Sequence, residues 1–382
     1  MPELNRVVVV GGGVGGLTSA LALARAGVDV EVHEKFAHIQ ERATGFTLWS
    51  FAIKELLELG LDDPERIGQP IEFTEIHNQD GKLIEEMPVG EVSRELGAPS
   101  CDVRRPDMQR ALIELIGPER VRMGSEVVGV EQRDGTAEVV LADGGRSGGD
   151  LVIACDGVHS VVRDHVAADP QLRYSGYASW GGILDGFEHE LFGPNRHIEI
   201  WARGSKGGVA DVGGGQARWY VVHKAAAGSR TGAVDKDAIF EHIEGWYELI
   251  HAAVDAAPAE SIVQTEAWDL EPLDTWVGGR VVLLGDSAHA TTPFASMGAC
   301  MTIQDSVALA HELLSDAPLD DALRTYQEAR KARDEAVVTK SRKMGKLSMM
   351  HSPIASWLRD EAFSHMPADK MREVTEEMAK GD

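Results

Sequence analysis

Cysteine is scarce in this chain: Cys101, Cys155 and Cys300 stand alone among 382 residues. Odd in number and far apart, they exclude a disulfide framework and offer no metal-type spacing, so reduced thiols and no metal are expected. Basic residues are also short. The 37 Lys and Arg face 62 Asp and Glu, a formal charge of −25, and both nucleic acid and an anionic membrane would repel that surface. No apolar run reaches the length of a bilayer span, and glycines interrupt the N-terminal apolar stretch too early for a signal peptide. Internal repeats and low-complexity linkers are absent too. A soluble cytoplasmic protein is expected, working without nucleic acid or membrane. Its length exceeds what one core usually holds, so two closely joined domains are expected.

What is present begins at Arg6. Val7 to Val10 form a β-branched run that suits a buried parallel strand. Gly11, Gly13 and Gly16 follow in the spacing G-x-G-x-x-G and open an apolar helical stretch from Val14 to Ala26. Gly27 stops it, and Val28 to His33 reads as a second strand ending at Glu34. The first glycine makes a tight turn, the second lets backbone approach a pyrophosphate, and the third lets helix and strand pack closely. The helix N-terminus offers free N–H groups and a positive dipole end to phosphates. Glu34, 18 residues past Gly16, is placed to accept hydrogen bonds from a ribose. Val14, Gly15 and Lys35 belong to the same candidate dinucleotide site.

Further along, Ser50 is a cap candidate for a helix running to Leu59. Asp80-Gly81 and Asp134-Gly135 are hairpin signals between strand-like runs. A helix over Arg104 to Ile116 puts Arg105 and Gln109 on one face. Leu151 to Ala154 reads as a third buried strand that enters Asp156-Gly157-Val158-His159-Ser160 and then Arg163. From Tyr174 to Trp268 the pattern becomes strand-like, interrupted by a helical insert at Asp235 to Ala257. Arg280 to Leu284 is a strand entering Gly285-Asp286, and a loop through Pro293 and Gly298 opens a helix from Ala299 to Leu314. The tail from Pro318 is polar and helical, with methionines at 344, 349 and 350.

Three strand-to-turn elements thus stand far apart, and together they resemble the FAD-dependent aromatic hydroxylases, the single-component flavin monooxygenases of the para-hydroxybenzoate hydroxylase fold. The family motif D-G-x-x-S-x-x-R is matched by Asp156, Gly157, Ser160 and Arg163. The G-D-A-A-H motif is matched by Gly285, Asp286, Ala288 and His289, with Ser287 for the first alanine. The resemblance implies an α/β fold: a FAD-binding Rossmann-like domain of the glutathione-reductase type, an inserted mainly antiparallel β-sheet substrate domain, and C-terminal helices. The corresponding boundaries are 1–75, 100–170 and 272–330 for FAD, 76–99 and 171–271 for the sheet domain, and 331–382 for the helices.

It also implies roles. Gly11, Gly13 and Gly16 cradle the pyrophosphate and Glu34 holds the ribose. Arg105 and Gln109 contact the FAD chain, Val127 lies near adenine, and Asp286 bonds the ribityl–pyrophosphate region. Met297, Gly298 and Ala299 lie at the flavin, with the helix dipole from Gly298 facing its pyrimidine end. Asp156 and Arg163 link the FAD and NAD(P)H sites, although Arg163 reads equally well as a surface salt-bridge residue. His159 and His289 read as structural. Two departures fall beside the ring: Ser296-Met297 where the family has glycine-glutamine, and Ala43-Thr44-Gly45 for G-A-G.

The implied reaction uses NAD(P)H and molecular oxygen to hydroxylate a small aromatic or heteroaromatic substrate through a flavin 4a-hydroperoxide. A reductase of unsaturated substrates and a non-catalytic flavin- or ligand-binding protein are the alternatives, and the oligomeric expectation is a monomer or homodimer. The strand from Arg218 to Lys224 alternates with period two. Its charges, Arg218 and Lys224, place Arg218, Tyr220 and Val222 toward solvent and leave Trp219, Val221 and His223 inside. On that reading Trp219 stacks on the substrate ring, His223 bonds or deprotonates its hydroxyl, and Pro293 borders the reacting centre.

Overall fold

The computed structural model describes residues 4–41, 45–229 and 234–381. Ala43 and Thr44, part of one flavin-side departure, lie outside them. The Arg6–Val10 strand sits inside a six-stranded sheet, where its four valines are at most 3% exposed. It pairs in parallel with Leu151–Ala154 on one side and Asp29–Glu34 on the other. Val281–Leu283 adds in parallel beyond Leu151–Ala154. Parallel strands covered on both faces need uninterrupted apolar runs, which these are. The helices Val14–Arg25, Arg105–Ile116 and Gly298–Leu313 pack together beside this sheet. All three motif turns therefore leave the C-terminal ends of neighbouring parallel strands, where open α/β sheets bind ligands.

A second sheet has seven strands, ordered Val263–Leu270, Leu172–Asp185, Gln216–Lys224, Ser205–Gly213, Arg196–Ala202, Phe73–Asn78 and Leu83–Met87. Only the Arg196–Ala202 and Phe73–Asn78 pair is parallel. The helices Lys236–His242 and Glu248–Ala256 cover one face, around a core of Trp219, Val221, Leu249 and Ile250. A three-stranded sheet of Gly45–Leu48, Cys101–Arg104 and Gly68–Pro70 lies between the two large ones. Among the described residues no helix is long and apolar enough to cross a membrane.

Three expectations are corrected. The boundary at 75/76 falls inside the Phe73–Asn78 strand, because that strand is held in the sheet by its hairpin partner Leu83–Met87. The boundary at 330/331 falls inside one 30-residue helix, Leu319–Ser348, which contains no proline to break it. Ser50 does not cap its helix: it is the first helical residue, and its hydroxyl donates to the Ala98 carbonyl at 2.7 Å.

A fourth correction bears on function. The Arg218, Tyr220 and Val222 face of the Gln216–Lys224 strand meets the FAD-binding domain and the Leu319–Ser348 helix, not solvent; Arg218 is 8% exposed and Val222 packs on Phe294 and Met349. The charge argument failed because Arg218 has a buried partner, Asp102, on the Cys101–Arg104 strand. The Trp219 face is interior as expected, but what covers it is helix.

Trp219 is 1% exposed in that helix-covered core. Trp219→Ala is therefore expected to cost about 3–5 kcal/mol of stability, measured by urea denaturation. A loss under about 1 kcal/mol contradicts its place in the core.

Candidate functional site

A cavity of about 740 Å³ lies between the two large sheets. The glycine loop, the Asp156 turn, Asp286, the segment 291–299 and the Arg218 face of the second sheet all contribute to its wall. At the first end the glycines divide their tasks. Gly11 has a φ of +102°, and a Cβ there would lie 2.3 Å from the Cys155 carbonyl oxygen; one on Gly16 would lie 1.9 Å from that of Gly11. Gly13 meets nothing within 4 Å, so the space in front of it is free for a ligand. Gly13 begins the Val14–Arg25 helix, whose first N–H groups have no acceptor within the helix.

Glu34 holds this loop together. Its carboxylate accepts from the Gly12 N–H at 2.7 Å and from the Phe36 N–H at 2.9 Å, while the residue still lines the cavity. Gln109 acts from behind: its amide donates to the Gly12 carbonyl at 2.7 Å, and like Gly16 it does not line the cavity. Val14, Gly15, Lys35, Arg105 and Val127 do line it. The Arg105 guanidinium lies 5.8 Å over the Phe46 ring.

The middle turn is occupied with itself. The Asp156 carboxylate accepts from Ser160 Oγ at 2.6 Å and from the N–H groups of Val161 and Val162. Arg163 is 4% exposed and is not a surface ion-pair residue. Its guanidinium donates to the carbonyls of Gly157, Val158, Asp286 and Ser287 at 2.7–3.2 Å. It joins the second motif to the third.

Asp286 projects into the cavity with protein around it. The residue is open to the cavity, while the protein packed around it pushes its carboxyl above the ordinary range against the pull of His289, Arg105 and Arg163, and no described residue donates to it. Pro293, Met297, Gly298 and Ala299 also line the cavity, and the Gly298–Leu313 helix begins there. Ser296 has a φ of +52°, a left-handed conformation that suits the glycine of the family pattern. Met297 is 7% exposed and gives this edge an apolar surface.

His289 stands behind the cavity wall. It bonds Asp305 at 2.6 Å, and Arg330 bridges Asp305 and Asp334 at 2.7 and 3.0 Å. Burial alone would lower the His289 pKa, but Asp305 and then Asp334 push it up to about 9. His289, Asp305 and Asp334 have metal-ligand proximity, yet Arg330 and the protonated His289 together offset the two carboxylates. His289 itself does not line the cavity. His159 lines the cavity edge-on to Trp268 at 5.9 Å.

At the other end, Arg218 donates to Asp102 at 2.5 Å, and Asp102 also accepts from the Thr47 hydroxyl at 2.7 Å. Burial would raise the Asp102 carboxyl, but Arg218 and His197 hold it well below the usual range. Lys206 pairs with Glu199. Tyr220 lies between these pairs, and burial, then Glu199, push its phenol far above the ordinary value. His223 is elsewhere: it stacks on Trp180 at 3.5 Å, outside the cavity lining, with burial and His242 lowering its pKa to about 4. Trp219 borders the cavity but is packed in the helical core, so Tyr220 is the aromatic presented by this face. Asp102, His197 and Lys206 escaped the sequence reading, and Tyr220 was placed toward solvent; the one available signal was a lone acid in the buried run Cys101–Arg104.

A glycine cradle, an open space before Gly13, an unpartnered carboxylate at Asp286 and a helix start at Gly298 fit a flavin dinucleotide. With the antiparallel sheet beneath, they define an FAD-binding protein of the para-hydroxybenzoate hydroxylase fold. The chain belongs to the family described as the FAD binding domain, whose model matches residues 5–341. Aurachin C monooxygenase/isomerase of Stigmatella aurantiaca is 33% identical over 368 residues, 96% of this chain and 95% of that protein. An FAD-dependent urate hydroxylase of Klebsiella pneumoniae is 29% identical over 345 residues, 88% of this chain and 89% of its own. The crystal structure of Klebsiella pneumoniae HpxO with FAD and uric acid matches with a TM-score of 0.91 at 25% identity, covering 99% of this chain and 97% of that one.

Ser296 holds its left-handed conformation at a steric cost that glycine does not have. Ser296→Gly is expected to stabilise the FAD-saturated protein by about 1 kcal/mol, read from thermal denaturation. Destabilisation would mean that the serine makes a compensating contact.

Proposed function

We propose that the protein is an FAD-dependent monooxygenase that uses NAD(P)H and O2 to insert one oxygen atom into a small aromatic or heteroaromatic molecule. The observation that carries this is one continuous cavity joining a dinucleotide cradle to a second end lined by Arg218, Tyr220, Val222 and Phe294. The named relatives support the reaction class. FAD, when bound, supplies the redox and oxygen chemistry. The chain supplies binding, orientation and the exclusion of water.

Gly11, Gly13, Val14, Gly15, Glu34, Lys35, Arg105, Val127 and Asp286 hold the dinucleotide in this proposal, with Gly16 and Gln109 supporting the glycine loop from behind. Asp156 acts through its own turn. Met297, Gly298 and Ala299 face the ring, and the helix start at Gly298 favours negative charge in front of it. Val222, Pro293, Phe294 and Met297 form a dry edge that keeps water from the reacting atoms. Tyr220 stays protonated with its hydroxyl bonded to Glu199, so its oxygen is left to accept a hydrogen bond from a substrate N–H or hydroxyl. The setting is the cytoplasm, as monomer or homodimer, and the three free thiols are in keeping with it.

The test is to purify the protein, identify the released cofactor, and follow NAD(P)H oxidation and oxygen uptake with aromatic candidates under isotopically labelled O2. Bound FAD, equal consumption of reductant and oxygen, and one labelled atom in the product are expected. A colourless protein that does not take up FAD contradicts the reading. So does reductant use with no oxygen uptake, which belongs to a reductase.

A further inference from the structure

We infer that the substrate is an uncharged aromatic ring bearing hydroxyl or lactam groups, and that the site rejects aromatic carboxylates. This rests on the monooxygenase reading and narrows its substrate class. Among the described residues, four Lys and Arg side chains line the cavity: Lys35, Arg105, Lys206 and Arg218. The first two stand beside the glycine loop and Asp286, where a dinucleotide's phosphates belong. The second two are at the substrate end, and each already has its own carboxylate within the wall.

Arg218 donates to Asp102, which is 0% exposed, and Lys206 pairs with Glu199. Glu199 also accepts from the Trp201 indole N–H at 2.7 Å. Tyr220 lies between the cations, whose charged ends are 5.6 and 6.0 Å from its ring centre, and its phenol is neutral. The substrate end therefore holds two positive and two negative charges and has no free cation. A carboxylate entering it loses its hydration and meets Asp102 and Glu199 as well as their partners, so the exchange is unfavourable. The net charge of −25 opposes its approach as well.

An uncharged ring meets different terms. His197 and Arg218 line this end, and the Tyr220 oxygen, whose proton is directed to Glu199, keeps acceptor capacity. These groups match ring N–H, hydroxyl or carbonyl atoms, while Phe294 and Val222 offer apolar surface to the ring. Ligand polarity is satisfied here by hydrogen bonds and not by ion pairing.

The experiment titrates FAD-loaded protein at neutral pH with salicylate and with salicylamide, its uncharged isostere, following the flavin absorbance. Salicylamide is expected to bind about tenfold tighter or better. Asp102→Asn keeps the side-chain size and frees the Arg218 charge, so salicylate affinity is expected to rise about tenfold while salicylamide changes little. Glu199→Gln, which frees Lys206, gives the same test should Asp102→Asn not fold. FAD content and circular dichroism establish that each variant is intact. Preference of the wild type for salicylate overturns the inference, as does equal weakening of both probes in an FAD-retaining variant. Failure of both probes to perturb the flavin in every protein overturns it too. The titration needs no turnover, so a failed oxygen-incorporation assay leaves its result standing and is counted against the monooxygenase reading alone.

Discussion

One buried guanidinium carries the architecture of the cofactor side. Arg163 reaches from the turn after Leu151–Ala154 to the turn after Val281–Leu283 and binds two carbonyls in each. These strands are parallel neighbours, and the turns leaving them carry partly buried carbonyls that Arg163 satisfies. Hydrogen bonds to a charged group contribute about 1.5–3 kcal/mol each, so the clamp outweighs what either short turn could supply alone. It also sets where Asp286 stands, because the bonded carbonyl is that of Asp286 itself. The Asp156 carboxylate tightens the first turn, and Ser287 Oγ ties the second to the Ala154 carbonyl at 2.6 Å. Asp156 and Arg163 thus shape the site through backbone, with Asp286 left to face the cavity.

The substrate side is built on a second charged contact of different character. The Arg218–Asp102 pair crosses from the antiparallel sheet to the small sheet that carries Gly45 and Thr47. Removing one partner from such a buried pair leaves an uncompensated charge, at about 3–5 kcal/mol, so the pair locks the two domains around the cavity. Gly45 allows the approach: a Cβ there would lie 3.2 Å from Arg218 Cδ and 2.0 Å from the Val103 carbonyl oxygen. The Leu319–Ser348 helix closes the arrangement from outside. Its Gly345 gives Phe294 room, since a Cβ would stand 2.7 Å from that ring. Met349, one of the tail methionines, packs on Phe294 and Val222.

What was legible in the sequence is what lies contiguous in the chain. The valine strand, the glycine loop and Glu34 fall within about thirty residues, each with its own local physics. The Asp134-Gly135 hairpin joins Val127–Arg133 to Thr136–Leu141 for the same local reason. The orientation of the Gln216–Lys224 strand was not legible, because Asp102 and Arg218 are 116 residues apart. Without the partner in view, an arginine in a strand argues for solvent; with it, the same residue marks an interior wall. The inserted helices hid the other face in the same way, turning Trp219 and His223 from candidate ligand contacts into packing. The Leu319–Ser348 helix crosses an expected boundary because nothing local breaks it, while the surfaces it covers come from distant segments.

The claim that Arg163 assembles the cofactor site from two separate turns is tested most directly by the FAD affinity of Arg163→Lys. Lysine keeps the charge but has one nitrogen, so it cannot span four carbonyls on two turns. Titrating apoprotein with FAD, with circular dichroism to establish that both proteins are folded, isolates the effect. The account expects the dissociation constant to rise about tenfold or more, which corresponds to about 1.4 kcal/mol and is less than one charge-assisted hydrogen bond. An FAD affinity equal to that of the wild type would contradict it and return the assembly of the site to the strands alone.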